Sequence, residues 1–230
     1  MPNNLPVYVS LLFIFTTILT IVFFIGAIKE NHSTKRTTFV LIAIIIWLTV
    51  HALLSLNYFY TVTNTVPPRF FLATAPPLLV IIILFITKGG RGFIDSLSPQ
   101  MLTQLHVVRI FVELILLWLF LYKLIPKLMT FEGRNFDILA GLSAPLITYF
   151  GFVKKSLSNK FMLAWNIAGI LLLLNIVVNA ILSAPFPFQQ FGFEQPNIAV
   201  LYFPFIWLPC FIVPTVLFSH LVLIRQLSKK

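Results

Sequence analysis

Three kinds of residue are scarce in this chain, and each scarcity closes off a class of protein. One cysteine, Cys210, occurs in 230 residues. No intramolecular disulfide can form, and a lone cysteine in an apolar run reads as a small packing residue rather than a nucleophile. Charge is scarce too, at 10% of residues, where a soluble domain carries about 25%. Acids are the rarest, six against sixteen basic residues. Hydrophobic residues make up 59% of the chain and mean hydropathy is +0.99. An ordinary soluble domain is excluded.

What the chain has instead is long apolar runs. Crossing about 30 Å of hydrocarbon takes roughly 20 apolar residues in a helix. Seven stretches qualify: 6–29, 37–61, 69–87, 100–124, 135–153, 160–183 and 197–226. None alternates as the strands of a membrane barrel do. The sequence therefore predicts an all-α, polytopic membrane protein, a single domain over 1–230 built as a bundle of seven transmembrane helices. Ser98 and Pro99 mark the start of the fourth, serine as cap and proline at the first position. The leader Met-Pro-Asn-Asn lacks a positive n-region, and the basic residues follow the first apolar run. That run is expected to be an inserted helix, not a cleaved signal.

The net charge of +10 is arranged by side. With the helices numbered in order, one side collects Lys29, Lys35, Arg36, Lys88, Arg91, Lys154, Lys155, Lys160, Arg225, Lys229 and Lys230. The other collects Arg69, Lys123, Lys127 and Arg134, with Arg109 left inside the fourth helix. This asymmetry predicts an amino terminus outside and a carboxyl terminus in the cytoplasm, in a multi-pass protein of the cytoplasmic (inner) membrane. The lipid bilayer is the expected partner, its anionic headgroups facing the basic loops. Nucleic acid is not expected.

Ionisable groups inside membrane helices cost about 2.5–3.5 kcal/mol each at the centre and so point to function. His106, Arg109 and Glu113 fall on one face of the fourth segment, at spacings of three and four that let Arg109 pair with Glu113. At 1.5 Å per residue, His51, Glu113 and Asn175 lie roughly 21–22 Å from the cytoplasmic helix ends. His106, Arg109 and His220 form a layer closer to the cytoplasm. These six are the candidate ligand-binding residues. Glu132, Arg134 and Asp137 form a second, outer polar cluster before the fifth segment, part of it helix capping. His51, His106 and His220 are the candidate metal or haem ligands, although no histidine pair has the close helical spacing of zinc sites. The seventh segment has no lysine for a Schiff base, which excludes retinal. Lys-Gly-Gly-Arg-Gly at 88–92 lacks the spacing of a phosphate loop.

Two further features suggest mechanics. The stretch 184–197 holds four phenylalanines and is expected to fold into the membrane interface or cap the bundle. Prolines at 76, 77, 204, 209 and 214 predict broken helices, as at transporter sites. A shift of 128 residues lays the first three segments over the last three, suggesting a repeat. The leading expectation is binding or transport of a small polar or anionic molecule, with proton coupling through Glu113 or His51. The alternatives are a metal- or haem-dependent intramembrane enzyme and a structural or assembly protein whose charges only join helices.

Overall fold

A computed structural model describes residues 5–229; the leader 1–4, and Lys230 among the basic residues above, lie outside them. The described residues are helical, with no strand. The first two apolar runs form α1 (Val7–Lys29) and α2 (Thr34–Leu56), and the third forms α3 (Phe71–Ile86). At Thr87 the chain bends by 94° into the short α4 (Lys88–Asp95). The fourth run is split into α5 (Pro99–Leu105) and α6 (Val108–Leu121). Then come α7 (Ile138–Thr148), continued by a π turn over Tyr149–Val153, and α8 (Asn159–Leu182). A second π turn, Leu208–Ile212, leads into α9 (Val213–Ser228).

Five helical stretches, with α5 and α6 counted together and the second π turn counted with α9, are long and apolar enough to cross a membrane; the count reaches six only if α3 and α4, bent at Thr87, are taken as one span. The α7 unit is apolar but shorter, an 11-residue helix plus the five-residue π turn. The seventh run differs most from expectation. From 197 to 206 it is a 3-10 turn and irregular chain rather than membrane helix. Pro204 lacks the N–H a helix would use, and the amides of Ile198 and Ala199 are drawn to the Leu124 carbonyl at 3.0 and 3.1 Å. Pro209 and Pro214 fall in the first turns of the π segment and α9, where a missing donor costs least. Ser98 caps α5 as predicted, accepting from the Met101 amide.

Loops gather at two ends. At one, Asn31 and His32 of the α1–α2 turn bond Ser96, at 2.9 and 2.7 Å, and Gln226 of α9 donates to the carbonyls of Ile94 and Leu97. At the other, Asn175 donates to Arg134 O, Gln195 to Phe120 O and Ile125 O, and Asn197 to Ala180 O. Between them α1 packs on α2, α5 and α6. Its inner face carries Thr16, Thr17 and Thr20, whose hydroxyls bond carbonyls one turn back, so small residues allow close approach with no polar group unpaired. The suggested repeat is not matched in packing: α8 and α9 lie closely together, whereas α2 and α3 scarcely touch.

The end of α9 is tied down by charge. Arg225 Nε donates to Asp95 Oδ1 at 2.7 Å and Nη2 to Oδ2 at 3.0 Å, and Lys229 reaches the same carboxylate. Hydrogen bonding from Arg225, with help from Lys229, holds the Asp95 carboxyl down at about 2. Because that value is depressed below the unfolded one near 3.9, the tether is fully present above about pH 4 and is lost as pH falls through 2. A spin label at Ser228 (Ser228→Cys on Cys210→Ser) should stay immobile from pH 7 to 4 and loosen as pH falls through about 2. Asp95→Asn should give the loosened spectrum already at pH 7.

Candidate functional site

The polar centre is built around Arg109, 2% exposed. Its helix is interrupted just before it: the amides of His106, Val107, Arg109 and Ile110 all bond three residues back, a tightened turn with no proline or glycine to cause it. Such mid-helix turns often mark functional places. Arg109 does not pair with Glu113. Nε donates to Asp137 Oδ2 at 2.6 Å and Nη2 to Asp137 Oδ1, a bidentate ion pair between α6 and the residue that opens α7. Nη2 also donates to Gly169 O at 3.1 Å, and Nη1 to His220 Nε2 at 2.9 Å. Four of the five guanidinium N–H bonds are thus used within the protein. An anionic ligand group, expected there from sequence, finds Arg109 already committed.

The arginine can only donate, so His220 Nε2 accepts and the ring carries its proton on Nδ1, which donates to Asn166 Oδ1 at 2.8 Å. Asn166 Nδ2 closes the chain on Met162 O at 2.8 Å. His106 stacks on His220 with ring centroids 3.8 Å apart, and Trp165 packs against both. Both nitrogens of His106 are buried without a partner. Glycine is required beside this stack, since a Cβ on Gly169 would lie 2.3 Å from His220 Cε1.

Glu113 turns to a different partner. Its Oε1 accepts from Asn135 Nδ2, which also donates to Met129 O at 3.1 Å, while Asn135 Oδ1 accepts the Asp137 amide at 3.0 Å. Oε2 has no partner although Glu113 is 1% exposed. Glu113 and Asp137 line a cavity of about 400 Å³ between α3, α6, α8 and the 184–201 segment. Its walls are otherwise almost wholly apolar, including Leu116, Val177, Phe186, Phe188 and Leu208. Asn197 lines it as well, its Nδ2 bonded to Ala180 O and its Oδ1 unpartnered. The phenylalanine-rich loop thus supplies part of the cavity wall.

Several expected groupings separate. His51 is buried, but its Nδ1 meets the Tyr60 hydroxyl and its ring packs on Trp47 at 4.0 Å, with no contact to the Arg109 network. Asn175 is exposed and bonds the loop at Arg134. The outer cluster also divides, Glu132 and Arg134 being exposed while Asp137 goes inside. The three candidate metal histidines do not converge: His51 lies in its own cluster, both His220 nitrogens are engaged, and no group of three metal-ligating side chains occurs among the described residues. Sequence reasoning missed Asn135, Asn166, Gly169 and Asn197. Asn166 and Gly169, a polar and a small residue three apart in an apolar helix, carry the pattern of a helix contact.

Fold and site together define a multi-helix protein with apolar helices of membrane-crossing length and a polar centre inside the bundle. Residues 67–228 match the model of a family described as Domain of unknown function (DUF8737), and the chain belongs to that family. The matched stretch holds the whole Arg109 network and Glu113 and leaves out α1, α2 and His51. Neither a search among curated proteins nor one among solved structures finds a match.

The network makes a sharp stability prediction. Asp137→Leu or Arg109→Met alone strands a buried charge and should cost about 3–5 kcal/mol, whereas the double variant should recover most of the loss. Unfolding in detergent by dodecyl sulfate titration measures this, and a double variant no better than the singles would refute the pairing.

Proposed function

We propose that this is a seven-span protein of the cytoplasmic membrane, amino terminus outside, that binds or carries a mostly apolar molecule bearing a hydrogen-bond donor, best an ammonium group. The supporting observation is the cavity beside Glu113. Glu113 and Asn197, which line it, each carry a buried oxygen without a partner, Oε2 and Oδ1; with Glu113 ionised both are acceptors, and an unmet buried acceptor costs about 1–3 kcal/mol. A donor-bearing ligand meets them; a carboxylate or phosphate would add a third acceptor. The apolar walls fit a hydrocarbon body, in keeping with pockets that use few polar groups for orientation. The Arg109 network serves the structural reading: it joins α6, the start of α7, α8 and α9 and leaves the cavity its shape. The orientation rests on the charge asymmetry and on the gathering of α4, the α1–α2 turn and the α9 end on one side.

Decylamine, decanol and decanoic acid, matched in chain length, test the ligand class on the purified protein in detergent. Decylamine should raise the unfolding temperature most and decanoic acid least. Glu113→Gln, which keeps a partner for Asn135, should remain folded and lose the preference for the amine. Equal shifts by all three probes, or an undiminished amine effect in Glu113→Gln, would refute the reading. Reporter fusions at each terminus test the topology: a carboxyl-terminal fluorescent fusion should light up in the cytoplasm, and an amino-terminal one should not.

A further inference from the structure

A second opening lies apart from the Glu113 cavity. It is a groove of about 660 Å³ between α2, α3, α4 and α9, in the gap where α2 and α3 scarcely touch. The tight α3–α4 turn shapes one end. A Cβ on Gly90 would fall 2.3 Å from Leu84 O, so glycine is needed for the chain to turn back so closely. Arg36 and Gly90 line this end, and Ala43, Trp47, Pro76 and Val80 line the groove farther along. Arg36 and Trp47 are eleven residues apart on α2, about 16 Å at 1.5 Å per residue. That is roughly half of a 30 Å hydrocarbon core, the depth of a single leaflet.

The polar atoms deep in the groove are satisfied by the protein. Trp47 Nε1 donates to Cys210 O at 2.9 Å and Thr215 Oγ1 to Phe211 O at 2.7 Å. An occupant there has no hydrogen bond to make, which suits hydrocarbon and contrasts with the Glu113 cavity. The mouth is cationic. Arg36 is exposed, with Nη1 held by His32 Nδ1 at 3.0 Å. Lys35 neighbours it in sequence, and Lys88 and Arg91 stand on α4 to either side of the Gly89–Gly90 edge. The acid of α4, Asp95, is already taken by Arg225 and Lys229.

We propose that this groove seats one anionic phospholipid from the leaflet at the basic end, an acyl chain lying along Trp47 and the phosphate at Arg36. Charge complementarity at the mouth and one-leaflet depth select this occupant over a helix of a partner, which would leave Arg36 facing apolar surface.

The test uses the full chain, delipidated in detergent, with phosphatidylglycerol and phosphatidylcholine of identical acyl chains, and counts bound lipid by native mass spectrometry. The wild type should hold one phosphatidylglycerol, about fivefold or more tighter than phosphatidylcholine, as a cationic residue at a membrane surface provides. Arg36→Gln should bring the two lipids level. Val80→Trp and, independently, Ala43→Trp should fill the groove and abolish the bound lipid, while Glu113→Gln should retain it. Brominated acyl chains should quench the fluorescence lost in Trp47→Phe. Equal retention of both lipids by the wild type, undiminished selectivity in Arg36→Gln, or full retention by both tryptophan variants would overturn the proposal.

Discussion

The bidentate pair of Arg109 and Asp137 is the constraint on which the rest of the interior depends. An arginine in an apolar bundle is tolerable only when its charge is met and its donors are used. Here the demand is spread over three other elements: a carboxylate before α7, a carbonyl on α8, and a histidine on α9 that an α8 amide holds in turn. That distribution fixes the depth of each helix relative to the others. It also explains why Gly169 carries no side chain and why His220 holds one tautomer. In a membrane, where apolar contact between helices has no advantage over contact with lipid, such polar links and close small-residue packing set the arrangement.

Two interior regions lie side by side with opposite character. Around Arg109 nearly every donor is consumed, and the network reads as a joint. Around Glu113 the pairing is incomplete: one carboxyl oxygen has no partner, and the residue lines a cavity. Asn135 connects the two, touching Glu113 with its amide and the Asp137 backbone with its carbonyl oxygen. A change at Glu113 is therefore two contacts from the ion pair through the loop holding Asn135, and Asp137 itself lines the cavity.

The helical class and most helix positions were legible because hydropathy in a membrane protein answers to a single demand, that every backbone group be bonded within its own helix. Even the shared level of His106, Arg109 and His220 followed from helix rise alone. Partner choice was not legible. Arg109 and Glu113 have ideal spacing for each other, yet side chains on one helix lost to Asp137, which the loop after α6 delivers from outside the fourth segment. Depth also misled for His51 and Asn175. Rise along an axis says nothing about which way a helix is rotated, and Asn175 proves to be on an exposed face. The helix of the last segment is shorter than its hydropathy suggests, because Pro204 stands in irregular chain rather than kinking a helix.

In the seven-span arrangement proposed above, the brevity of α7 has a consequence for the lipid around it. Eleven α-helical and five π-helical residues rise at most about 24 Å, against a hydrocarbon core of roughly 30 Å. Leu139, Leu142, Leu146 and Val153 are exposed along it, so as a span this flank would face lipid. Mismatch of this sign is relieved by thinning the bilayer locally, at a fraction of a kcal/mol per ångström. The ion pair prevents α7 from sliding to find a better depth, since Asp137 sits at its first turn. In that arrangement the bilayer, not the helix, would deform: one side of the molecule would carry a dimple in the membrane, and neighbours with short hydrophobic spans would gather along it.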